Sequence, residues 1–507
     1  MDNKKQLVKN MAAQTVSFCL TILISFFLTS FIVGRIGADV YGFVGLANNV
    51  TSYVTVFTVA INSLANRYIT IAYAKGDIAS ANKYFSSVTA ANILAVAIII
   101  IPAILLLFNL EHIIEIPQTY EGDIKILWAL VFFLFGLQLI FGRLEIATFA
   151  SNRLDLTAMR TMESNIIKVV VLVALYVAFE AKVWYVGISS LICGVYVICA
   201  NARYMKKLTP EIGFHKKSVE AGAVKEMLST GIWNSANQLS QMLFTGLDLL
   251  IANLFIGAAG MGLLSIAKTP PLHIIAFIGM IAGVFYPNMT IAYAKESKDG
   301  FIKETTFAIR ICGLICSVPI MGVIIFGEQF YGIWLPTLSS AEIHEIQILS
   351  VLTLLPQVFS IYLFPLYQVN TLTCKLRVPS IVNIALSAVN VIAVFLLLKY
   401  TDLGLYAIAG VSSVLLTLRI LIFVPIYAAS NIKVKASTFY PPLVRGIILN
   451  VILAVVFTII RRIFGCWDIK TFVIAIAISA FVGYIIGLII LSDKEDRQKL
   501  TSMLKKR

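Results

Sequence analysis

Charge is what this chain has least of. Of its 507 residues only 13% are Asp, Glu, Lys or Arg, while 59% are hydrophobic, and the mean hydropathy is +0.90. Soluble domains run at about 25% charged and about 45–50% apolar, so a soluble enzyme or soluble binding module is excluded. Cysteine is sparse and scattered. The seven thiols (Cys19, Cys193, Cys199, Cys312, Cys316, Cys374 and Cys466) form no Cys-x-x-Cys pair and sit mostly in apolar segments, as small hydrophobic residues do. The four histidines, His112, His215, His273 and His344, are dispersed, so no metal site is expected. No Gly-x-x-x-x-Gly-Lys-Ser/Thr phosphate loop occurs, which excludes ATP hydrolysis by that route. No loop is long enough to fold a catalytic domain, so neither catalytic residues nor a cofactor are expected.

Long apolar runs take the place of charge. Val378–Leu398 and Phe472–Leu491 carry no charged residue at all, and each is long enough to cross a hydrocarbon layer about 30 Å thick as a helix. The pattern predicts an all-α polytopic membrane protein of about fourteen spans: 12–33, 40–62, 86–108, 125–147, 163–180, 183–202, 230–256, 261–286, 304–326, 346–368, 378–399, 404–428, 441–462 and 470–491. The formal net charge of +14 would suggest nucleic acid in a soluble protein. Here the cations fall in alternate loops, from Lys75 and Lys83 through Arg203, Lys206, Lys207, Lys216 and Lys217 to the tail from Lys494, while the opposite loops carry Glu111, Glu115, Glu121, Asp123, Glu328, Glu342 and Glu345. That bias predicts a multi-pass protein of a bacterial cytoplasmic (inner) membrane, with both termini cytoplasmic and the first span a retained signal anchor. One loop, with Arg461, Arg462 and Lys470, runs against the rule.

The hexapeptide Thr70-Ile71-Ala72-Tyr73-Ala74-Lys75 recurs as Thr290 to Lys295, an offset of 220 residues. The same offset lays Ile36-Gly37-Ala38 on Ile256-Gly257-Ala258 and Gly42 on Gly262. A period this long is a duplicated half, a common build of secondary transporters. Six spans separate the copies, an even number, so the halves point the same way and should be related by a pseudo-two-fold axis along the membrane normal. The expected organisation is an N-lobe over residues 1–205, a cytoplasmic linker over 206–229, a C-lobe over 230–430, and an unpaired helix pair with a cytoplasmic tail over 431–507.

Polar residues recur where they are costly. Span 7 carries Thr230, Asn234, Asn237, Gln241, Thr245 and Asp248 at steps of three and four, so they share one helix face. Span 1 carries Asn10, Gln14, Ser17, Thr21 and Ser25 in the same way, and span 2 carries Asn48, Ser52, Thr55, Asn62 and Asn66. Such stripes either glue helices together by hydrogen bonds or line a water-filled cavity between the halves. Pro270, Pro271, Pro287, Pro356 and Pro365 mark static kinks or hinges. Among charges inside spans, Arg143, Arg310 and Arg419 lie near enough to a surface to snorkel. Lys168 and Lys268 are deeper, with Arg67 at the inner end of span 2. Lys268 is placed to pair with Asp248, whereas Glu163 is five residues from Lys168 and poorly placed for it. The candidate substrate contacts are Arg67, Lys168, Lys268, Asn48, Gln14, Asn234, Asn237 and Gln241; the candidate coupling-ion residues are Asp248, Glu163 and Glu145. More cations than acids in the cavity favours an anionic cargo such as a phosphate.

Two six-helix halves, a helix pair and no ATP site resemble the multidrug/oligosaccharidyl-lipid/polysaccharide (MOP) exporter superfamily. Arg35-Ile36-Gly37-Ala38-Asp39-Val40-Tyr41-Gly42-Phe43, Asn66-Arg67-Tyr68-Ile69, and Trp233 with Asn237 resemble its polysaccharide transporters, the Wzx-like O-antigen flippases. The resemblance implies a flippase that moves a polyprenyl-pyrophosphate-linked oligosaccharide, the repeat unit of O-antigen, capsule or exopolysaccharide, from the cytoplasmic to the periplasmic leaflet by alternating access. Its partners would be lipid-linked oligosaccharide, membrane lipid, a glycan polymerase and other polysaccharide-assembly proteins. Arg67 matches an arginine that recurs near the end of the second span in that family. A Gly-x-x-Arg-Asp-type pattern associated with lipid II flippases is missing, which argues against a peptidoglycan precursor. The alternatives are a cation-coupled multidrug or small-solute antiporter, which would depend on an acid such as Asp248, and an integral-membrane glycan-assembly enzyme, which would need a large extracytoplasmic loop.

Overall fold

A computed structural model of the chain describes residues 3–294, 298–373, 375, 377–466 and 468–498. Lys295, Cys374, the tail from Lys499 and the side chain of Thr230 lie outside the described part. Fourteen helices are long and apolar enough to span a membrane, and no strand occurs among the described residues. They are α1 (Asn3–Ile36), α2 (Ala38–Ala74), α3 (Ile78–Phe108), α4 (Gln118–Ala150), α5 (Leu154–Ala178), α6 (Trp184–Leu208), α7 (Ala221–Gln241, continued by Asp248–Ile256), α8 (Ala258–Gly283, continued by Tyr286–Ala294), α9 (Lys298–Trp334), α10 (Ser340–Leu363), α11 (Arg377–Tyr400), α12 (Leu405–Asn431), α13 (Ala436–Phe464) and α14 (Ile469–Leu491). Several outrun the apolar windows that revealed them. The expected span 40–62 is Ala38–Ala74 and the expected span 304–326 is Lys298–Trp334, because a helix continues on its own hydrogen bonds where hydropathy has already fallen.

The 220-residue offset governs helix ends as well as residues. α1 ends at Ile36 and the last part of α7 at Ile256; α2 starts at Ala38 and α8 at Ala258. α2 closes at Ala74 and α8 at Ala294; α3 opens at Ile78 and α9 at Lys298. Between the first pairs stand Gly37 (φ 84°) and Gly257 (φ 109°), each in the left-handed region that a side chain disfavours. The copies diverge at two points, for α7 is broken by a π-turn at Met242–Gly246 where α1 is continuous, and α8 is interrupted between Gly283 and Tyr286 where α2 is continuous. Polar side chains start several helices. Asp77 accepts from Ser80 N at 3.0 Å before α3, and Ser339 and Glu342 form a reciprocal capping box before α10.

By packing, the chain divides into two compact units, Met1–Gly262 and Leu263–Arg507. In the second unit, the helix pair without a counterpart in the duplication is built into the bundle. The Tyr362 hydroxyl of α10 donates to Gly446 O of α13 at 3.0 Å and lies 2.7 Å from Ser317 Oγ of α9. The three helices meet because Gly313 and Gly446 lack side chains. A methyl on Gly446 would sit 2.3 Å from the Tyr362 ring, and one on Gly313 would sit 2.2 Å from it. Gly446→Ala is therefore expected to lower stability by about 1–3 kcal/mol through overpacking, read as a lower midpoint of thermal unfolding in detergent. Arg461, discordant with the charge rule, is used within this bundle and donates to Ile325 O at 2.8 Å.

A second lock closes the end of α14. Arg310 of α9 donates to Asp493 and, at 2.7 Å, to Asp496, while Arg445 of α13 donates to Asp493 at 3.0 Å. Burial alone would raise the Asp493 carboxyl, but the Arg445 and Arg310 guanidiniums outweigh it and hold the group below the usual carboxylate range. A depressed folded value means that the contribution is fully present above the unfolded pKa, about 3.9, and is lost as the pH falls through the folded one. The hydrogen-exchange protection factor at Asp493–Arg497, the intrinsic rate at each pH over the observed rate, is thus expected to be flat from about pH 5 to 8 and to fall below about pH 4. Arg310→Ala should lower it above about pH 5, where the carboxylate is charged.

Candidate functional site

The site is built on the first unit. On α2, the polar face bonds first to its own helix. Asn48 Nδ2 donates to Val44 O at 2.9 Å, Ser52 Oγ to Asn48 O at 3.1 Å and Thr55 Oγ1 to Ser52 O at 2.6 Å. These i−3 and i−4 bonds satisfy one donor each and leave the acceptor lone pairs outward. Asn48 and Ser52 are exposed, as are Gln14 on α1 and Gln241 on α7. A polar side chain exposed within a membrane-length helix is stable against water, not against hydrocarbon.

Further along α2 the polar face turns inward. Asn62 and Asn92 of α3 exchange amide bonds at 3.0 Å, and Asn92 also donates to Leu139 O of α4 at 2.9 Å. Just beyond Leu139, α4 tightens into a 3-10 segment at Gly142–Glu145. Arg143 there donates to Asn62 O at 3.2 Å and to Asn66 Oδ1 at 3.1 Å. Arginine only donates, so the Asn66 oxygen must face it and the Asn66 amide NH2 turns away. Arg143 is thus committed to α2 and does not snorkel. Arg67, the next residue, is exposed and has no ion-pair partner among the described residues.

The stripe on α1 is spent inside the first unit. Asn10 Nδ2 donates to Asn152 O at 3.0 Å, Asn165 Nδ2 of α5 donates to Thr21 Oγ1 at 2.8 Å, and Ser17 is buried. For Asn10 and Thr21 the stripe is interhelical glue, not cavity lining. Helical spacing fixed which residues share a face, and the polar groups of α5 fixed which neighbour that face meets. Gln14 stays exposed, 3.4 Å from Leu154 O. At the same end lies a residue the sequence reading missed. The Asp155 carboxylate, fully buried, accepts from Lys9 at 2.8 Å, Arg153 at 3.0 Å and Gln6 at 2.9 Å, and its own amide donates to Asn10 Oδ1 at 3.0 Å. Three donors converging from α1 and from the turn before α5 leave it no role for a ligand. Arg153 two residues before it in a cation-rich loop was the available signal.

The deeper charges divide. Glu163 is engaged at Oε2 by Arg160 at 2.6 Å and by the Tyr196 hydroxyl of α6, and it makes no ion pair with Lys168. Glu145 is exposed in the 3-10 segment. Lys168 is half-buried on α5, one turn before the fully buried Leu172 and one turn after Ser164, whose carbonyl accepts from Cys193 Sγ of α6 at 3.1 Å. It has no ion-pair partner among the described residues. On α7, Asn234 Nδ2 donates to Ser63 Oγ of α2 at 3.0 Å, Asn237 is half-buried, and Asp248 is 5% exposed directly after a π-turn at Met242–Gly246. Lys268, on α8 in the second unit, is 9% exposed. The first unit therefore brings Asn234 to α2 beside Ser63, places Asn48, Gln241 and Gln14 in the open, and leaves the two candidate cations Arg67 and Lys168 without an ion-pair partner among the described residues.

No family model matches the chain. Over 506 residues, 98% of each chain, it is 29% identical to the uncharacterized membrane protein EpsK of Bacillus subtilis (strain 168). Among solved structures it is similar to the lipid II flippase MurJ in an inward closed conformation, with a TM-score of 0.68 and 12% identity over 95% of this chain and 98% of that one. It is also similar to a multidrug resistance MATE family transporter of the MOP superfamily in an inward-facing conformation, with a TM-score of 0.63 and 14% identity over 82% of this chain and 94% of that one. The resemblance read from the motifs is borne out in the architecture. The chain is a multi-pass membrane protein with the fold of the MOP superfamily transporters.

Proposed function

We propose that this chain is a flippase for a lipid-linked oligosaccharide whose anchor is an anionic polyprenyl pyrophosphate. The observation that carries the reading is that two cations inside spans, Arg67 on α2 and Lys168 on α5, have no ion-pair partner among the described residues, and that α2 also holds the open amide of Asn48 and hydroxyl of Ser52. A lone cation at bilayer depth costs a few kcal/mol (about 2.5–3.5 on insertion scales) unless it is wet or meets an anion. A phosphate answers that need, and Asn48, Ser52, Gln14, Asn234, Asn237 and Gln241 suit sugar hydroxyls. The lipid tail stays in the bilayer while the polar head crosses a hydrated path. The flippase activity named for MurJ favours a lipid-linked cargo. Lys268, in the second unit, is proposed as a substrate contact in its own right, and Asp248 as the coupling residue. The proposed setting is the bacterial cytoplasmic membrane with both termini inside, beside a glycan polymerase. The test is complementation: in a strain lacking its own oligosaccharide flippase, expression of this chain should restore surface polysaccharide. Membrane insertion without restored polysaccharide in several such strains, with acquired drug efflux, favours the antiporter reading that the MATE likeness keeps open.

A further inference from the structure

The connection from α6 to α7, expected as a cytoplasmic linker, is strapped to the start of α3. Asn82 of α3 donates to Glu211 O at 3.0 Å and accepts from Gly213 N at 2.8 Å. His215 N donates to Ser86 Oγ at 2.9 Å and Glu220 N to Ser87 Oγ at 3.0 Å, and both serines are fully buried. These bonds set the depth of the connection. The first large apolar side chain that α3 exposes is Ile93, followed by Leu94, Ile98 and Ile101. Ser87 stands six residues before Ile93, about 9 Å along the helix axis. The polar layer outside a hydrocarbon core of about 30 Å is about 5–8 Å deep on each side. Residues 214–219 are thus held beside the headgroup layer.

What this stretch exposes is half apolar and half cationic. Phe214 is 49% and Val219 39% exposed, and between them Lys216 and Lys217 stand exposed on a 3-10 turn at Lys216–Ser218. Neither lysine has an ion pair among the described residues. The nearby acids are engaged, Glu220 by Lys83 at 3.8 Å and Glu211 by the Tyr73 hydroxyl at 3.3 Å. The duplicated half shows that the turn itself does not dictate this exposure. The 220-residue offset lays residues 211–219 on 431–439, which carry their own 3-10 turn at Ala436–Phe439. Ile212 and its counterpart Ile432 are buried in both copies. Val434, the counterpart of Phe214, packs on the core of the second unit, and Phe439, the counterpart of Val219, is fully buried. Ala436 and Ser437 stand where the first copy has Lys216 and Lys217. One copy therefore tucks its two apolar side chains inward, and the other leaves them out between cations. Apolar atoms that enter the headgroup boundary, with ammoniums that meet lipid phosphates, account for that composition at that depth.

We infer that residues 214–219 form a foot on the membrane surface, Phe214 and Val219 dipping into the headgroup boundary and Lys216 and Lys217 binding anionic lipid headgroups of the adjoining leaflet. The inference holds whatever the cargo. The test uses the full chain in vesicles of phosphatidylcholine alone and of phosphatidylcholine with an equal amount of phosphatidylglycerol. A spin label on Val219→Cys, with the native cysteines replaced, reports immersion as its accessibility to oxygen relative to a water-soluble nickel chelate. With phosphatidylglycerol present the ratio should stand several-fold above that of free label in water. It should fall by about two-fold or more in Lys216→Gln/Lys217→Gln, or when phosphatidylglycerol is omitted. The unaltered chain gives a second reading that needs no cysteine replacement. Hydrogen exchange across residues 213–220 should be slower with phosphatidylglycerol than without it, and the difference should shrink at high salt. A label as wet as free label in both vesicles overturns the inference, and so does a depth or an exchange rate indifferent to phosphatidylglycerol. A label wet in vesicles and shielded only in native membranes also overturns it, in favour of a protein partner.

Discussion

Asp155→Ala should be the most destabilising single substitution in the first unit, by about 3–5 kcal/mol. The carboxylate is fully buried, and it is the common acceptor for Lys9, Arg153 and Gln6. Removing it leaves cationic and amide donors at the α1–α5 junction with no acceptor, which costs more than the loss of any one bond. Because total stability is about 5–15 kcal/mol for a typical fold, membrane abundance should fall sharply. The opposite partner behaves differently. The Lys9 side chain is 50% exposed, so Lys9→Ala should cost under about 1 kcal/mol. Thermal unfolding in detergent, with membrane abundance beside it, checks both. Equal effects of Asp155→Ala and Lys9→Ala would show that the junction is not organised by the carboxylate.

The second large effect is on transport. Lys168→Met and Arg67→Ala should each lower export by about 10- to 100-fold, the loss of one hydrogen-bonded charge contact of about 1.5–3 kcal/mol. Neither should lower stability. Lys168 has no ion pair to lose among the described residues, and removing a cation from bilayer depth removes its desolvation cost. A variant that unfolds no earlier, or later, than the parent while exporting poorly marks a residue kept for activity. A lower unfolding midpoint with export unchanged would instead assign Lys168 to the packing of α5 on α6.

Much of the architecture was legible because it is governed by length, hydropathy and duplication. The repeated Ile-Gly-Ala revealed the duplication, and the helices end alike at Ile36 and Ile256, the first three residues beyond the expected 33; the glycines between helices carry the positive φ that such a turn needs. Neighbour relations were not legible. The stripe on α1 was visible at helical spacing, but its partners Asn152 and Asn165 lie over a hundred residues away, and nothing in spacing tells glue from cavity. Backbone groups at Gly213, His215 and Glu220, within the segment read as the cytoplasmic linker, bond to side chains of α3, a pattern without periodicity that sequence cannot show. Arg143 read as a snorkelling charge because the 3-10 segment that aims it at Asn66 has no hydropathy signature. The neighbours of the coupling candidate Glu163 were half legible: Arg160 stands three residues before it, but Tyr196, which donates to the same carboxylate oxygen, comes from the next helix.

Reconstitution tests the central claim most directly. Purified protein in lipid vesicles, loaded with a labelled polyprenyl-pyrophosphate-linked oligosaccharide, should carry the label from one leaflet to the other faster than protein-free vesicles do, and the Lys168→Met protein should lag well behind. Vesicles in which the label stays in its leaflet with the parent protein present, across lipid-linked glycans of differing sugars, would contradict the account.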